Sequence, residues 1–387
     1  MTIKHYLSVV LFAVAVVISV RQVSIAEQLH WNDFGTFHRA ACSGILYSDD
    51  PLTPRAESFV FRNLNPPHFH VLLWPLCGLT TDVAYGVWII ASMICLVAAL
   101  FVGPPPSGYW RWLGVSGMAA SAATTTLVLT GQVTAIINLP LTLAWRSDRD
   151  QKPWASGLWL GTVVAIKPFL ATVALWWIYR RAWRSLAGMT VAVGLSLILS
   201  VSIFGLPSLL AWWRELGSVN WLWAAMNASA WAPWARVFST SPYFQAAMAA
   251  PHIQQVGTLT TLVCIGGLTA LFTSRTRNID LGWALCIAAA LLISPLGWIY
   301  YGWLLFRPLM QLQLPPRLAA SVFACWFLPP TLLVFLSQES ALKTATIGTT
   351  YTYGLLMLWV GLLVVSTPQS EINAESARDE GDRRPST

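Results

Sequence analysis

The chain has 387 residues, 56% of them hydrophobic and 10% charged, with mean hydropathy +0.59; soluble domains carry roughly a quarter charged residues. Apolar runs long enough to cross a bilayer recur along it, which argues against a soluble domain on a single anchor. Its net charge of +7 comes from Lys and Arg in short loops between apolar runs, not from a basic face, so a nucleic-acid partner is not expected.

The first span is predicted over 6–25, with Lys4 before it placing the N-terminus in the cytoplasm. No clear cleavage site follows Ser24 and Ala26, so a signal peptide is a poor reading. A polar external segment, about 27–66, holds Asp33, His38, Arg39, Asp49, Asp50, Arg55, Glu57 and Arg62. Residues 68–79 are apolar but short for a crossing and read as a juxtamembrane or re-entrant helix, with a short span as the alternative. A crossing over 83–102 ends at Pro104-Pro105-Pro106. Residues 112–130 lead outward, Gly131-Gln132 turns, and 133–145 return to Arg146, Arg149 and Lys152.

The stretch 154–179 decides the topology. As one span it would leave Arg180, Arg181 and Arg184 outside, against the tendency of basic loops to stay inside. A break at Lys167-Pro168 avoids this, because proline cannot donate the helical hydrogen bond and crowds the preceding turn. Two short helices then need a recessed or water-filled cavity on the outer side.

Residues 185–205 cross outward to a second external region, about 206–255, rich in tryptophan. Further spans are predicted over 256–273, 281–293, 298–312, 318–336 and 347–365, with Arg275, Arg277 and Arg317 at inner loops. Ser294-Pro295-Leu296-Gly297-Trp298 reads as an outer turn. The fold class is therefore an all-α polytopic membrane protein of about twelve transmembrane helices, in one domain over 1–366 with two long external loops. Residues 367–387 read as a disordered cytoplasmic tail. The expected location is the inner (plasma) membrane, with any site facing the periplasm or exterior.

Cys42, Cys77, Cys95, Cys264, Cys286 and Cys325 have neither metal-knuckle nor redox-pair spacing and read as small buried hydrophobes. Most of the 22 tryptophans read as an aromatic belt.

Two charges stand out. Asp33 lies between Trp31 and Phe34 where span meets water, so partial desolvation should raise its pKa and make it a better base. It could equally cap a helix starting near Phe37, and both readings can hold. Lys167 sits in the middle of an apolar stretch, where a charge is costly and marks a functional site by default. A buried cation at an outward cavity calls for an anion, and a lipid phosphate fits. Arg236 and Arg62 could add charge, although a loop arginine at the headgroups is the simpler reading of Arg62. Gln132 and Asn138 may be no more than polar bridges between helices. Asp49-Asp50 reads as a solvated turn. No phosphate-binding loop, dinucleotide fingerprint, HExxH or Ser/His/Asp pattern occurs.

The ordered set of motifs resembles glycosyltransferase family 87, the polyprenol-phosphate-sugar-dependent mannosyltransferases of the GT-C superfamily. The matching residues are Asp33-Phe34 with His38-Arg39-Ala40-Ala41 and Gly44; Pro66-Pro67 with Trp74-Pro75-Leu76; and Gly131-Gln132-Val133. They continue with Gly157 through Gly161 to Lys167-Pro168, Asn227-Ala228-Ser229 with Arg236, and the turn from Ser294 to Trp298. The resemblance implies a GT-C-like fold and an outward-facing site. It implies transfer of a sugar, typically mannose, from a polyprenyl-phosphate donor to a lipid-linked or cell-envelope acceptor, with inversion. Asp33 would be the general base, and Lys167 and Arg236 would hold the lipid phosphate, with Tyr300 and Tyr301 beside them. Gln132, Asn227, Ser229, Trp298 and Arg62 would contact substrate. Two cations could do this work without a metal, so neither metal nor cofactor is expected. Tyr300-Tyr301 stands where family members often carry histidine, which puts the donor-binding details and the sugar in doubt. The alternative is a polytopic transporter or lipid flippase, which would place polar residues along a path through both membrane halves.

Overall fold

The computed structural model describes residues 3–29, 33–47, 62–105, 110–218, 221–241, 246, 248–337 and 340–365. Asp49, Asp50, Arg55, Glu57 and the tail 367–387 lie outside these. Every regular element among the described residues is helical.

The N-terminal span is a long helix, α1 (Ile3–Leu29). A short amphipathic helix follows, α2 (Asp33–Ser43), which buries Phe34, Phe37, His38 and Ala41. Phe34 stacks on His38 and meets Tyr85 and Trp88, and Phe37 meets Phe69 edge-on. The apolar piece after Pro66 is a 3-10 helix, Pro67–Leu76. At ~2 Å rise per residue it is about 20 Å long, and it packs against α2.

Next come α3 (Thr81–Phe101), α4 (Trp110–Ala120), α5 (Ala122–Thr130) and α6 (Thr134–Arg149). The single run expected over 112–130 breaks at Ser121, whose Oγ turns back to Met118 O at 2.7 Å. The break expected at Lys167 is present: α7 (Pro153–Ile166) stops, Lys167 leaves helical geometry, and Pro168 opens a 3-10 turn, Pro168–Val173, leading into α8 (Ala174–Tyr179). α9 (Trp183–Ser218) packs along α7 in the same direction, Gly157 facing Ser185 and Gly161 facing Met189 and Ala192. The two backbones touch because of Gly157 and Gly161. A Cβ on Gly157 would stand 2.1 Å from Ser185 O, and one on Gly161 would stand 2.6 Å from Met189 O.

α9 corrects one boundary. Its span does not end at Gly205 but bends there, at φ +79°, and runs on as helix to Ser218 inside the region expected to be an external loop. That region also contains α10 (Trp231–Phe238) and the start of α11 (Pro251–Arg275). The chain closes with α12 (Ile279–Ile293), a 3-10 turn (Ile299–Tyr301) and α13 (Gly302–Leu309). After these come α14 (Pro316–Phe327), α15 (Pro330–Ser337), α16 (Ala341–Thr346) and α17 (Thr350–Val365). The span expected over 318–336 is bent by 79° between α14 and α15, at Pro329-Pro330.

Among the described residues four helices are long and apolar enough to cross a membrane: Thr81–Phe101, Trp183–Ser218, Pro251–Arg275 and Leu342–Val365. A fifth is gained if the bent pair α14–α15 counts as one span. The protein is thus a helical membrane protein. Of the other apolar helices, α1 is 27 residues long, and the rest are shorter than a full crossing or, like α4–α5, broken.

The cysteine reading needs correction too. Cys42 and Cys77 form a disulfide with Cα atoms 5.2 Å apart, tying the end of α2 to the end of the Pro67–Leu76 turn. Their separation of 35 residues gave no local signal. Cys95, Cys264, Cys286 and Cys325 are free.

The basic loops gather at one end. Arg149 grips Asp280 through two oxygens at 2.7 and 2.6 Å, and Trp145 donates to the same carboxylate at 2.9 Å. Asp148 accepts from Trp283 at 2.8 Å and Trp176 at 3.0 Å, and Arg180 lies over Trp176. Arg307 donates to the carbonyls of Val102 and Pro104. Gln132 precedes α6 and Arg149 ends it, so about 24 Å of helix separates this cluster from the other end.

Candidate active site

At that other end a cavity of about 330 Å³ opens, within the size range of small-molecule sites. Asp33, at the first position of α2, forms part of its wall. Gln132 donates from Nε2 to Asp33 Oδ2. The placement of Gln132 depends on Gly131, which ends α5 in the left-handed conformation at φ +63°. A Cβ there would lie 2.6 Å from Phe34 Cβ, so only glycine lets α2 approach this turn. Trp88 Nε1 donates to Gly131 O at 2.8 Å and Tyr85 Oη donates to Val128 O, fixing the turn against α3.

Lys167 lies on the same wall, at the break between α7 and Pro168. Its Nζ donates to Asn65 Oδ1 at 3.0 Å and stands 5.9 Å above the ring centroid of Tyr301. Tyr301 packs edge-on against Tyr300 at 4.9 Å and against Phe169 at 5.0 Å. Trp298 stacks on Tyr300 at 6.2 Å, and Trp221 lies 6.3 Å from Trp298. Arg62 is at the rim, half exposed, paired with Glu215 at 2.9 Å. A basic group and an acidic group thus share one cavity, and among the described residues no ion pair joins them.

The electrostatics follow from the geometry. Burial disfavours the charged carboxylate and lifts Asp33 from an ordinary 3.8 to about 6, against the pull of the Gln132 hydrogen bond and the Lys167 charge. A carboxylate with pKa near 6 accepts a proton far better than a solvated one and is still ionised at neutral pH. Among the described residues no group of three or more His, Cys, Asp or Glu side chains gathers as a metal site.

The structure brings together Asp33, Gln132, Lys167, Tyr300, Tyr301, Trp298 and Arg62. It does not bring Asn227, Ser229 or Arg236 to the cavity wall. Asn227 Nδ2 donates to Pro295 O at 2.8 Å, Ser229 Oγ donates to the same carbonyl at 3.4 Å, and the backbones of Asn227 and Trp298 pair as an isolated bridge. These two side chains brace the turn that presents Trp298. Its glycine is needed, since a Cβ on Gly297 would stand 2.1 Å from Leu291 O. Arg236 is 1% exposed and spends its guanidinium on the carbonyls of Trp223, Ala224, Asn227 and Gly348. It is a clamp on the outer region rather than a second cation for the cavity. Asn138 is buried in α6 and likewise off the wall.

Sequence reasoning missed the role of Asn65, which it met only as the residue before two prolines. It also missed Thr130 and Trp221 as lining residues. No sequence signal marks the first. The second and third were hidden in a span and in a belt of many similar tryptophans.

The chain is thus a helical membrane protein with a cavity at one end that holds a carboxylate and a lysine. The profile of Glycosyltransferase family 87 matches residues 63–295, well over half of the chain. The protein belongs to this family and is a glycosyltransferase. The matched residues include Asn65, Gln132, Lys167 and Arg236, while Asp33, Tyr300 and Tyr301 lie beyond them. No match is found among curated proteins or among solved structures.

Proposed function

We propose that the protein transfers a hexose, mannose by family precedent, from a polyprenyl-phosphate donor to a lipid-linked or cell-envelope acceptor outside the plasma membrane. The observation that carries this reading is the pairing, across one cavity, of a half-desolvated Asp33 with an unneutralised Lys167. The acceptor hydroxyl oxygen attacks the anomeric carbon and gives its proton to Asp33. The bond from that carbon to the phosphate oxygen breaks, and its electron pair leaves with the polyprenyl phosphate. The phosphate gains one negative charge, which Lys167 stabilises, with the Tyr300 and Tyr301 hydroxyls as hydrogen-bond donors. Attack opposite the leaving group inverts the configuration, so a β-linked donor yields an α-linked product. Trp298 and Trp221 supply flat apolar faces for a sugar ring.

Two further observations support the orientation. The Cys42–Cys77 disulfide borders the cavity end and belongs in an oxidising compartment. The basic residues Arg149, Arg180 and Arg307 collect at the opposite end, as cytoplasmic loops do. Taken as paired or recessed crossings, the short and broken apolar helices bring the total toward the twelve of a GT-C-like fold. The charged groups Asp33, Lys167 and Arg62 gather at one end and Arg149, Asp280 and Arg307 at the other, which favours transfer over transport.

The test is to supply purified protein with polyprenyl-phosphate-[14C]mannose and a membrane lipid extract. Label should pass to an acceptor and stop doing so in Asp33→Asn. Transfer by that variant at the native rate would remove Asp33 as base, and no consumption of any lipid-phosphate sugar would favour the transporter reading.

A further inference from the structure

We propose that Asn65 binds the donor phosphate directly, through its side-chain amide nitrogen, while its amide oxygen positions Lys167. This deepens the transferase reading and rests on it.

The orientation of the Asn65 amide is set by chemistry. An ammonium group only donates, so the atom 3.0 Å from Lys167 Nζ is the oxygen, and Nδ2 is the other branch of the amide. Asn65 is 1% exposed and belongs to the cavity wall, yet Nδ2 has no hydrogen-bond partner among the described residues. Buried amide donors are almost always met; this one lies in the cavity wall beside a cation, with under 1 Å² of its own surface exposed, and a ligand oxygen pressed into that wall would meet it. Both amide atoms sit on one carbon, so different oxygens of one phosphate group can meet Nδ2 and Nζ together. A phosphate offers several such oxygens and the charge that Lys167 lacks.

The rest of Asn65 is fixed in advance. Its backbone N–H donates to Asn63 Oδ1 at 3.3 Å, and Tyr47 donates to its carbonyl at 2.5 Å. Asn63 is itself held by Leu46 O at 2.9 Å and the His70 ring at 2.7 Å. Two prolines follow, Pro66 and Pro67, which restrict the backbone further. A residue needed only to pack would not require this much support around an unsatisfied donor.

Asn65→Asp separates the two roles. It keeps an oxygen for Lys167, as a stronger partner, but removes the donor and sets a negative charge against the phosphate. The measurement is binding of a long-chain polyprenyl monophosphate to the purified protein in detergent, read by tryptophan quenching, beside transfer kinetics. Asp at 65 should weaken binding by about tenfold or more and by more than Ala does, with the loss appearing in the donor KM. Native-level binding by Asn65→Asp overturns the direct contact and leaves Asn65 as an anchor for Lys167 alone. If that variant does not fold, Asn65→Ala is compared with and without Lys167→Ala. A further loss of binding in the Lys167→Ala background supports direct contact, and none overturns it. Failure of the native protein to bind polyprenyl phosphate is a separate outcome, which removes the donor assignment and this inference together.

Discussion

The two ends of the molecule treat their charged groups in opposite ways. At the basic end the described acids Asp148, Asp150 and Asp280 are each answered. Asp280 has Arg149 and Trp145, Asp148 has Trp176 and Trp283, and Arg307 has two carbonyls. At the cavity end Asp33 has one side-chain donor, Gln132, Lys167 has one neutral acceptor, and Asn65 has an amide with no partner. The first arrangement holds helices together. The second leaves opposite charges unjoined at a cavity, at a cost in stability that the packing of α2, α3 and the Gly131 turn must offset. An acid buried near a membrane is therefore assigned by its neighbours rather than by its depth.

Changes to the two ends should separate activity from stability. The largest effect expected is in Asp33→Asn, where the rate of transfer should fall by about 10²–10⁴-fold. The same variant should melt higher at neutral pH. The folded pKa of Asp33 lies above the unfolded value, so the folded state binds more protons between about pH 4 and pH 6 and loses stability as pH rises through that window. Removing the charge should recover up to about 3 kcal/mol. A lower melting temperature in detergent would contradict the picture of a strained, functional carboxylate.

Lys167→Met comes next. It preserves length and apolar stem, and about 10²–10³-fold of the rate should go with the charge. Native kinetics in this variant would move the phosphate site elsewhere, and Arg236→Lys is the natural comparison. Because the Arg236 fork holds four carbonyls, that variant should lose thermal stability while donor KM in the folded fraction stays near native.

The pH profile sharpens the contrast further. The acid limb of kcat/KM for transfer should turn over near pH 6, where Asp33 gains its proton, and should be absent from the residual activity of Asp33→Asn. A limb that persists in the variant would assign it to another group.

At the basic end, Asp148→Asn replaces a carboxylate between two indole donors with a weaker acceptor. It should cost about 1–3 kcal/mol in stability and leave donor KM unchanged. A change in KM without a change in melting would mean that the two ends are coupled. Smallest of all is Arg62→Ala, since a rim ion pair such as Arg62–Glu215 contributes about 0–1 kcal/mol.

Much of this was legible in the chain. A lysine inside an apolar stretch followed by proline cannot sit in an unbroken helix in lipid, so the break at Lys167 follows from one costly side chain. Gly131-Gln132 reads as a turn because glycine alone tolerates the required backbone. Family membership is carried by motifs that keep their order. Arg236 was misjudged for a physical reason: an arginine near a cavity and an arginine clamping carbonyls look the same in sequence, because main-chain acceptors leave no trace in it.

The sequence by itself determined the class and the helical architecture, and it singled out Asp33 and Lys167 as candidates, because each of these follows from the cost of placing a given side chain in lipid. Only the tertiary structure decided which polar groups are satisfied. It joined Cys42 to Cys77 across 35 residues, spent Arg236 on backbone, and set Asn65 beside Lys167 with one hand empty. Hydrogen bonds and disulfides form across space, between residues whose separation along the chain carries no information about their distance.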